Sequence, residues 1–388
     1  MPGRFLVDQE MKMKTAGWII ADPHYLSGSL YKPESGAFRQ VLKRNDAKMI
    51  EWMPQILDEA VRRIKERKPD FVLVPGDLVM NGEWSSLVEF RRYPEEIQKA
   101  GIRVFVIPGN HDIEYPRAAD LTGEEPAATE QITMDRFRSA MGSSGFDSSV
   151  SSAEDSFSYL AHAGNGLYLL LLDANTVKAP GRITEETLAW AEGALREVKK
   201  NGGRVISVTH QNLLCHNEAV VRSFTVENAP EVVALLKKYG VCLNLSGHSH
   251  FQHTQEEDGF RDICTESISV YPLNIGVLEA DSETGDGIYH NESIGLFQNE
   301  SLQRLNETID RLMESSLNSG AIPEAVLPVM KEFSRNVTVD YYCASMKETE
   351  QYRKEPGWEY WNRYAKDSAW MKYLDSILKL PEQKGSRK

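Results

Sequence analysis

The chain has 388 residues, of which 41% are hydrophobic and 26% are charged. These fractions are typical of a folded globular protein and exclude a fibrous or disordered chain. Lys and Arg number 44 against 57 for Asp and Glu, which gives a net charge of −13. The overall field therefore repels polyanions, and this argues against long nucleic acid as a partner.

Six short apolar runs, each bounded by Gly, Pro or polar residues, have the pattern of buried strands. They cover residues 18–21, 71–74, 104–107, 167–172, 205–208 and 241–245. Residues 49–68 and 184–200 carry apolar side chains at helical spacing, and Thr184 can cap the second helix. The alternation of strands and helices predicts an α/β fold with a largely buried sheet.

Two further regions differ from this pattern. Residues 118–156 are polar and rich in Ser and Gly, so we interpret them as a surface insertion with one helix near residues 134–141. After about residue 280, an amphipathic helix over residues 302–313 and a second helix from Pro323 predict a small helical C-terminal subdomain. The aromatic residues that crowd its end are expected to pack against the core.

Five of the apolar runs end at residues of the kinds that bind metals. The five blocks are Asp22-Pro23-His24, Gly76-Asp77, Gly109-Asn110-His111-Asp112, Thr209-His210 and Gly247-His248-Ser249-His250. Each block alone is common by chance, but the carboxyl ends of strands in an α/β sheet are where ligands bind, so the full set points to one site. Carboxylate and imidazole together suit manganese, iron or zinc better than magnesium or calcium.

These blocks resemble the calcineurin-like metallophosphoesterases, whose pattern is D-x-H, GD, GNH followed by an acidic residue, a lone His, and GH-x-H. The resemblance covers roughly residues 16–280 and looks closest to bacterial class III cyclic nucleotide phosphodiesterase-like proteins, through Tyr25, Leu26 and residues 29–31. It implies a two-sheet β-sandwich flanked by helices over residues 14–285. A helical C-terminal subdomain over 286–381 and a tail over 382–388 would follow.

The resemblance also implies a role for each block. Asp22, His24 and His250 would bind one metal ion, and Asn110, His210 and His248 a second, with Asp77 bridging the two. The cofactors would be two divalent or trivalent ions, manganese, iron or zinc. His111 would face the substrate beyond the ligands, and Asp112 would orient its ring by a hydrogen bond.

The implied reaction is hydrolysis of a phosphoester by a metal-bridging hydroxide, with His111 protonating the departing oxygen. Cyclic nucleotides or other small phosphodiesters rank first as substrates by this resemblance. A phosphomonoesterase, a nuclease for short oligonucleotides and a non-catalytic binding module remain as alternatives. A binding module should have lost metal ligands, and every block is present here.

Substrate contacts are expected from loops around the site. The polar stretch 25–48 is the first candidate for substrate selection, and Tyr25, Tyr31, Asn81 and His216 are candidate substrate-binding residues. No run approaches the roughly 20 apolar residues of a membrane span, and none before Asp22 is long enough for a signal peptide. We therefore expect a cytoplasmic protein without a membrane partner. The sequence does not indicate an oligomeric state.

Overall fold

The computed structural model describes residues 14–220, 224–317 and 322–379. The strands are β1 (Lys14–Ile19), β2 (Phe71–Val74), β3 (Arg103–Val106), β4 (Ala119–Asp120), β5 (Ala127–Ala128), β6 (Ser151–Ser152), β7 (Tyr159–Gly164), β8 (Leu167–Leu172), β9 (Asn175–Thr176), β10 (Ala179–Pro180), β11 (Arg204–Thr209), β12 (Leu243–Ser246), β13 (His253–Glu257), β14 (Phe260–Cys264), β15 (Asn274–Asp281) and β16 (Gly287–Ser293).

The α-helices connect and flank these strands. They are α1 (Gly36–Arg44), α2 (Met53–Arg67), α3 (Trp84–Phe90), α4 (Arg92–Lys99), α5 (Met134–Met141), α6 (Glu185–Lys200), α7 (Ala229–Lys238), α8 (Gln298–Leu317), α9 (Leu327–Tyr342), α10 (Thr349–Arg353), α11 (Pro356–Tyr364) and α12 (Ala369–Leu378). Single 3-10 turns occur at Gly28–Leu30, Ile50–Trp52, Glu218–Val220 and Glu324–Val326, and an irregular turn follows α5 at Gly142–Phe146.

The long strands form two mixed sheets. The first has the order β16-β15-β1-β2-β3, and the second has the order β13-β14-β12-β11-β8-β7-β6. Strands β1, β2 and β3 are parallel to one another, as are β8, β11, β12 and β14. All six predicted strands belong to these parallel sets, whereas the antiparallel strands at the sheet edges carry no comparable apolar run.

The two sheets pack face to face, and the alternation of side chains along β8 shows how. Leu169 and Leu171 lie in one apolar core together with Val104 of β3, so this face of the second sheet meets the first. Leu170 and Leu172 point the other way and pack with α6 and α7. Because side chains alternate between the two faces of a strand, both faces of the second sheet are buried at β8. The predicted two-sheet sandwich flanked by helices is confirmed.

Both predicted central helices form, with small differences at their ends. The predicted helix 49–68 is α2, which begins after a single turn at Ile50–Trp52. The hydroxyl oxygen of Thr184 accepts a hydrogen bond from the backbone N–H of Thr187 at 3.1 Å, so the predicted cap of α6 is present. The insertion contains α5 at Met134–Met141, where the sequence predicts a helix.

The stretch 25–48 is not a continuous loop, and this corrects the sequence interpretation. It contains α1, whose first turn is capped by Ser35: the hydroxyl oxygen accepts a hydrogen bond from the backbone N–H of Phe38 at 3.4 Å. Phe38 is buried in a small apolar cluster beside the main core. Helix α1 has only nine residues, and Ala37 and Phe38 are its buried side chains.

The C-terminal helices α8, α9, α11 and α12 enclose an apolar cluster that includes the buried Tyr352 and Trp361. The same cluster contains Phe251 and Val270, so these helices pack on the loops around the second sheet. The division at residue 285 stays a prediction, but β16 is part of the first sheet, and a unit containing that sheet extends to Ser293. The predicted tail, residues 382–388, lies outside the described residues. Within the described part of the chain, no helix is long and apolar enough to cross a membrane.

Candidate metal centre

The predicted ligands come from the loops that follow the carboxyl ends of β1, β2, β3, β11 and β12, so both sheets contribute to one site. Two groups of potential ligand atoms lie close together there, each within 4.8 Å. Asp77 belongs to both groups. The members are Asp22, His24, Asp77 and His250 in the first group, and Asp77, His210 and His248 in the second.

In the first group, the imidazole nitrogens of two histidines face each other. His24 Nε2 lies 3.1 Å from His250 Nε2 and 3.5 Å from Asp77 Oδ2. The Asp22 carboxylate accepts the backbone N–H of His248, with both oxygens at 3.0 Å. This hydrogen bond orients the carboxylate and connects the loop after β1 to the loop after β12. Asp22 and His24 have no solvent exposure.

The second group is centred on His210. Its Nε2 lies 2.9 Å from Asn110 Oδ1, 3.1 Å from His248 Nδ1 and 3.4 Å from Asp77 Oδ1. On the other side of the ring, Nδ1 donates to the carbonyl of Pro75 at 2.8 Å. This bond holds the proton of a neutral ring on Nδ1 and leaves the Nε2 lone pair directed into the site.

The donor atoms fit two metal ions. Two imidazole nitrogens about 3.1 Å apart, such as those of His24 and His250, can share only one proton. A cation between such nitrogens satisfies both, and metal–nitrogen bonds of roughly 2.0–2.1 Å span this separation. The two groups offer two carboxylates, four imidazoles and one amide, a set suited to manganese, iron or zinc.

Backbone conformation brings these side chains together. Asp22, His24, Asp77, His248 and His250 all have positive φ, between 45° and 67°. Non-glycine residues adopt this left-handed region rarely, and such outliers cluster at functional sites.

Glycines in the same loops permit close approach. A Cβ on Gly109 would lie 2.2 Å from Asp77 Oδ1, and one on Gly76 would lie 2.4 Å from His210 Nδ1. Both positions need a residue without a side chain, which the Gly76-Asp77 and Gly109-Asn110 blocks supply.

Burial and mutual charge shift the pKa values of the site. Burial lowers the pKa of His24 and His250 well below the usual value, and the positive charge of Lys48 adds to this effect. For His210, burial alone would lower the pKa, but the Asp77 and Asp22 carboxylates raise it to about 9. Burial opposes ionisation of Asp77 as well, but His210 and His111 hold its pKa well below the usual value. Burial raises the pKa of Asp22 to about 7.

His111 lies beside the two ligand groups, and its ring contacts partners other than Asp112. Its backbone N–H donates to Asp77 Oδ1 at 2.9 Å, and the ring centroid lies 5.1 Å from that of His24. Ring Nδ1 lies 2.9 Å from the carbonyl oxygen of Met80 and 3.1 Å from Asn81 Oδ1. Burial lowers the pKa of His111.

Asp112 does not orient the His111 ring, and this prediction is corrected. Its carboxylate is fully buried and accepts the backbone N–H groups of Val79 and Gly109, at 3.1 and 2.7 Å. Burial raises the pKa of Asp112 to about 8. The Asp112 carboxylate therefore links the loops that follow β2 and β3, since each of its oxygens accepts a backbone N–H from one of them.

Of the four candidate substrate-binding residues, Asn81 lies at the site, because its side chain contacts the ring of His111. Tyr25 is buried, and its hydroxyl donates to Glu89 at 3.0 Å. Tyr31 stacks on Phe38 in the small cluster around α1, with ring centroids 4.3 Å apart.

His216 is also turned away from the ligand groups. Its Nδ1 lies 2.9 Å from His253 Nδ1, and its Nε2 lies 3.3 Å from Asp262. These three residues form a buried cluster outside the two ligand groups.

Three residues near the site were not singled out in the sequence. Tyr115 stacks on His111 with centroids 4.4 Å apart, and the Phe224 ring lies 5.0 Å from that of His248. Lys48 lies close enough to lower the pKa of His24 and His250. Only Tyr115 had a sequence signal, since it follows the GNH block by a few residues.

The fold and the site together define the class of protein. A two-sheet sandwich with two such groups of ligands at the carboxyl ends of its strands is typical of the dinuclear metallohydrolases. The model of the calcineurin-like phosphoesterases matches residues 16–252, and the chain belongs to that family. The family is dimetal-dependent, and the family resemblance noted in the sequence is confirmed. The closer likeness to class III cyclic nucleotide phosphodiesterases stays a prediction.

Solved structures are similar to this chain at low identity. A dimetal phosphatase from Danio rerio is 15% identical, with a TM-score of 0.52, over 72% of this chain and 96% of its own. The purple acid phosphatase PPD1 from yellow lupin (Lupinus luteus) is 13% identical, with a TM-score of 0.46, over 73% of this chain and 52% of its own. No curated protein matches the sequence. The similarity to the Danio rerio phosphatase supports the fold of this chain and does not extend to its substrate.

Proposed function

We propose that this protein hydrolyses small phosphodiesters with two metal ions, cyclic nucleotides being the first candidates. The observation that carries the proposal is the pair of ligand groups that share Asp77, with His111 beside them. Asp22, His24 and His250 would hold one ion, and Asn110, His210 and His248 the other. When bound, such ions neutralise phosphoryl oxygens and acidify water.

His111, with its ring protonated on both nitrogens, is the proposed proton donor to the departing oxygen. Because Nδ1 is occupied by the carbonyl of Met80, Nε2 is the atom that can reach a substrate. The stacked ring of Tyr115 and the side chain of Asn81 restrict rotation of the imidazole. Pre-set orientation of this kind is what general acid catalysis requires.

The proposed substrate class follows from the charge of the protein and from the sequence blocks. The net charge of −13 disfavours extended nucleic acid and leaves small phosphoesters. Cyclic nucleotides come first through the resemblance of the sequence blocks to class III phosphodiesterases. Phosphomonoesters and short oligonucleotides are the alternatives, and a screen of all three classes with defined metals would rank them.

The test begins with metal-stripped protein. Manganese, iron or zinc should restore hydrolysis of bis(p-nitrophenyl) phosphate, and metal analysis should find two ions per chain. If no metal restores turnover of any phosphoester, the catalytic proposal is wrong. Fewer than one ion per chain under manganese supplementation would instead support a non-catalytic binding module.

His111→Ala separates proton transfer from metal binding. The variant should keep its metal content and lose roughly 10²- to 10⁴-fold in kcat, the usual contribution of a general acid. His162 is exposed on β7, so His162→Ala is a matched control that should keep the full rate. Full activity of the His111→Ala variant would remove the proposed role of this residue.

A further inference from the structure

The phenyl ring of Phe224 lies against a predicted ligand of the candidate metal centre. Its centroid is 5.0 Å from that of the His248 imidazole, and the two rings are tilted by 48°. The His248 ring in turn contacts His210, with Nδ1 of the first 3.1 Å from Nε2 of the second. Phe224 therefore borders the second group of ligands.

Backbone hydrogen bonds fix the segment of Phe224 to the loop after β11. The carbonyl of Phe224 accepts the backbone N–H of Asn212 at 3.0 Å, and the backbone N–H of Val226 donates to the carbonyl of Asn212 at 2.9 Å. Asn212 stands two residues after His210 in the chain. The loop that carries this ligand therefore also holds Phe224.

The side chain of Asn212 connects the same segment to the loop after β12. It is buried, its amide nitrogen donates to the hydroxyl of Ser246 at 2.8 Å, and its amide oxygen accepts the hydroxyl of Ser249 at 2.7 Å. Ser249 stands between two of the predicted ligands in the chain. The position of Phe224 is thus set by both loops of the second sheet that carry ligands.

Phe224 does not belong to the apolar core. The apolar clusters of the described residues do not include it, although Val226 is part of the cluster on the outer face of the second sheet. Phe224 is half-buried, which leaves part of it accessible. Core packing therefore does not account for an aromatic residue here, whereas ligand pockets combine aromatic side chains with a few polar groups.

A second half-buried aromatic ring borders the centre at His111. Tyr115 stacks on His111, with centroids 4.4 Å apart and 26° between the rings, so this contact occupies one face of the Tyr115 ring. Among the described residues, the ring contact of Phe224 is the tilted one with His248. Phe224 is therefore the ring better suited to stack on a planar group of the substrate.

We propose that Phe224 is a specificity-determining residue whose ring stacks on the nucleobase of the substrate while the phosphoryl group lies at the metal ligands. This inference rests on the proposed function and deepens it, because it names a part of the substrate that is recognised outside the phosphoester. Every base has a π-face, so Phe224 would select substrates that carry a base rather than one particular base.

The proton donor and the stacking ring border different ligand groups. His111 contacts His24 of the first group, with ring centroids 5.1 Å apart, and Phe224 contacts His248 of the second. The departing oxygen would therefore lie at the first group and the base at the second. This arrangement separates base recognition from proton transfer, so the two can be tested independently.

The test measures binding to the full chain loaded with manganese, by calorimetry. The probes are AMP and ribose 5-phosphate, which carry the same phosphoryl group and differ in the base. The wild type should bind AMP roughly 5- to 150-fold more tightly, the range of base stacking on an aromatic side chain. Phe224→Leu keeps an apolar side chain without a ring, so the preference should disappear while the affinity for the ribose phosphate stays unchanged.

Two further variants are controls. Phe224→Tyr keeps a ring and should retain the preference for AMP. Tyr364 is half-buried at the end of α11 and lies outside the apolar clusters of the described residues. Tyr364→Leu therefore removes a comparable ring from the C-terminal helices and should bind both probes as the wild type does.

A purely structural role, in which Phe224 only supports His248, leads to a different result. Phe224→Leu would then lose manganese and bind both probes more weakly by the same factor. Kinetics separate the two roles as well. For a stacking residue, the KM for cyclic AMP should rise with little change in kcat, and both constants for glycerol cyclic phosphate, which has no base, should stay the same.

Three results would overturn the proposal. They are a Phe224→Leu variant that keeps the preference for AMP, a variant that weakens both probes equally, and a wild type that binds the two probes with equal affinity. The last result decides even if Phe224→Leu does not fold.

Failure of this inference is distinguishable from failure of the proposed function. A preference for AMP that depends on Phe224, without turnover of any phosphoester, would disprove the hydrolase and keep the base-binding residue. Turnover without a preference that depends on Phe224 would keep the hydrolase and disprove the inference.

Discussion

At the scale of single residues, the candidate centre is built on unfavourable backbone conformations. Asp22, His24, Asp77, His248 and His250 all have left-handed φ, and each such residue costs on the order of 1–3 kcal/mol. Their surroundings impose the conformation: the carbonyl of Asp22, for example, accepts the hydroxyls of Ser267 and Ser269. We infer that the loops are held in a shape suited to ligands rather than to their own stability.

Gly109→Ala should damage the centre without touching a ligand. The added Cβ would lie 2.2 Å from Asp77 Oδ1 and 2.3 Å from Asp77 N, so the shared carboxylate has to move. We expect manganese content, measured by elemental analysis, to fall below two ions per chain. Gly193→Ala in α6 is the control, since no atom beyond the adjacent backbone of the helix lies within 4 Å of the added Cβ. Two ions in the Gly109→Ala variant would show that Asp77 does not depend on this close approach.

At the scale of elements, the site depends on where strands end and on what holds the flanking helices. Strands β1, β2 and β3 lead into the loops that carry Asp22, His24, Asp77 and Asn110. Strands β11 and β12 lead into the loops that carry His210, His248 and His250. Helices α6 and α7 cover the outer face of the second sheet. The stability of these helices therefore contributes to the rigidity of His210 and the loop of His248.

Thr184→Ala tests one helix end. The Thr184 hydroxyl accepts the backbone N–H of Thr187 at 3.1 Å and donates to Asp155 at 2.5 Å. Loss of this cap should lower the free energy of unfolding by about 1–2 kcal/mol in chemical denaturation. Thr184→Ser keeps the hydroxyl and should retain most of that stability. Equal losses in the two variants would show that the methyl group, and not the cap, matters at this position.

At the scale of the whole molecule, the C-terminal helices pack on the catalytic part rather than forming a detached unit. Ala47, Phe251 and Val270 share an apolar cluster with α8, α9, α11 and α12. Near this junction lies Glu266, which is fully buried: its Oε1 accepts Asn274 Nδ2 at 2.7 Å, and its Oε2 has no partner among the described residues. Such a carboxyl group is stable only in its neutral form.

Glu266 should make the stability of the protein depend on pH. Burial raises its pKa to about 8, from an ordinary value of 4.5. Because the folded state binds the proton more tightly, the contribution of Glu266 is complete below about pH 4.5 and is lost as the pH rises through about 8. The free energy of unfolding of the wild type should fall relative to Glu266→Gln by up to about 1.4 kcal/mol per pH unit in this range.

Urea denaturation at several pH values checks this prediction. Glu257 is exposed on β13, so Glu257→Gln is a matched control that should follow the wild type. Parallel pH profiles for the wild type and Glu266→Gln would show that Glu266 is not held neutral in the folded state.

The sequence by itself determined the six buried strands, the central helices and the types of residue at the strand ends. These features are local: periodicity records which face of an element is buried, and the blocks around Asp77 and His210 follow their strands directly in the chain. The α/β class, the family and the seven predicted ligands could therefore be proposed without coordinates.

Only the tertiary structure decided the rest. Strand β1 pairs with β15, where Lys14 lies opposite Asp281, and this pairing is made by backbone hydrogen bonds that carry little sequence signal. The same holds for the partners of His111, for the buried carboxylate of Asp112 and for the position of the Phe224 ring beside the site. Burial and electrostatic fields come from residues distant in the chain, so a pattern along the chain does not contain them.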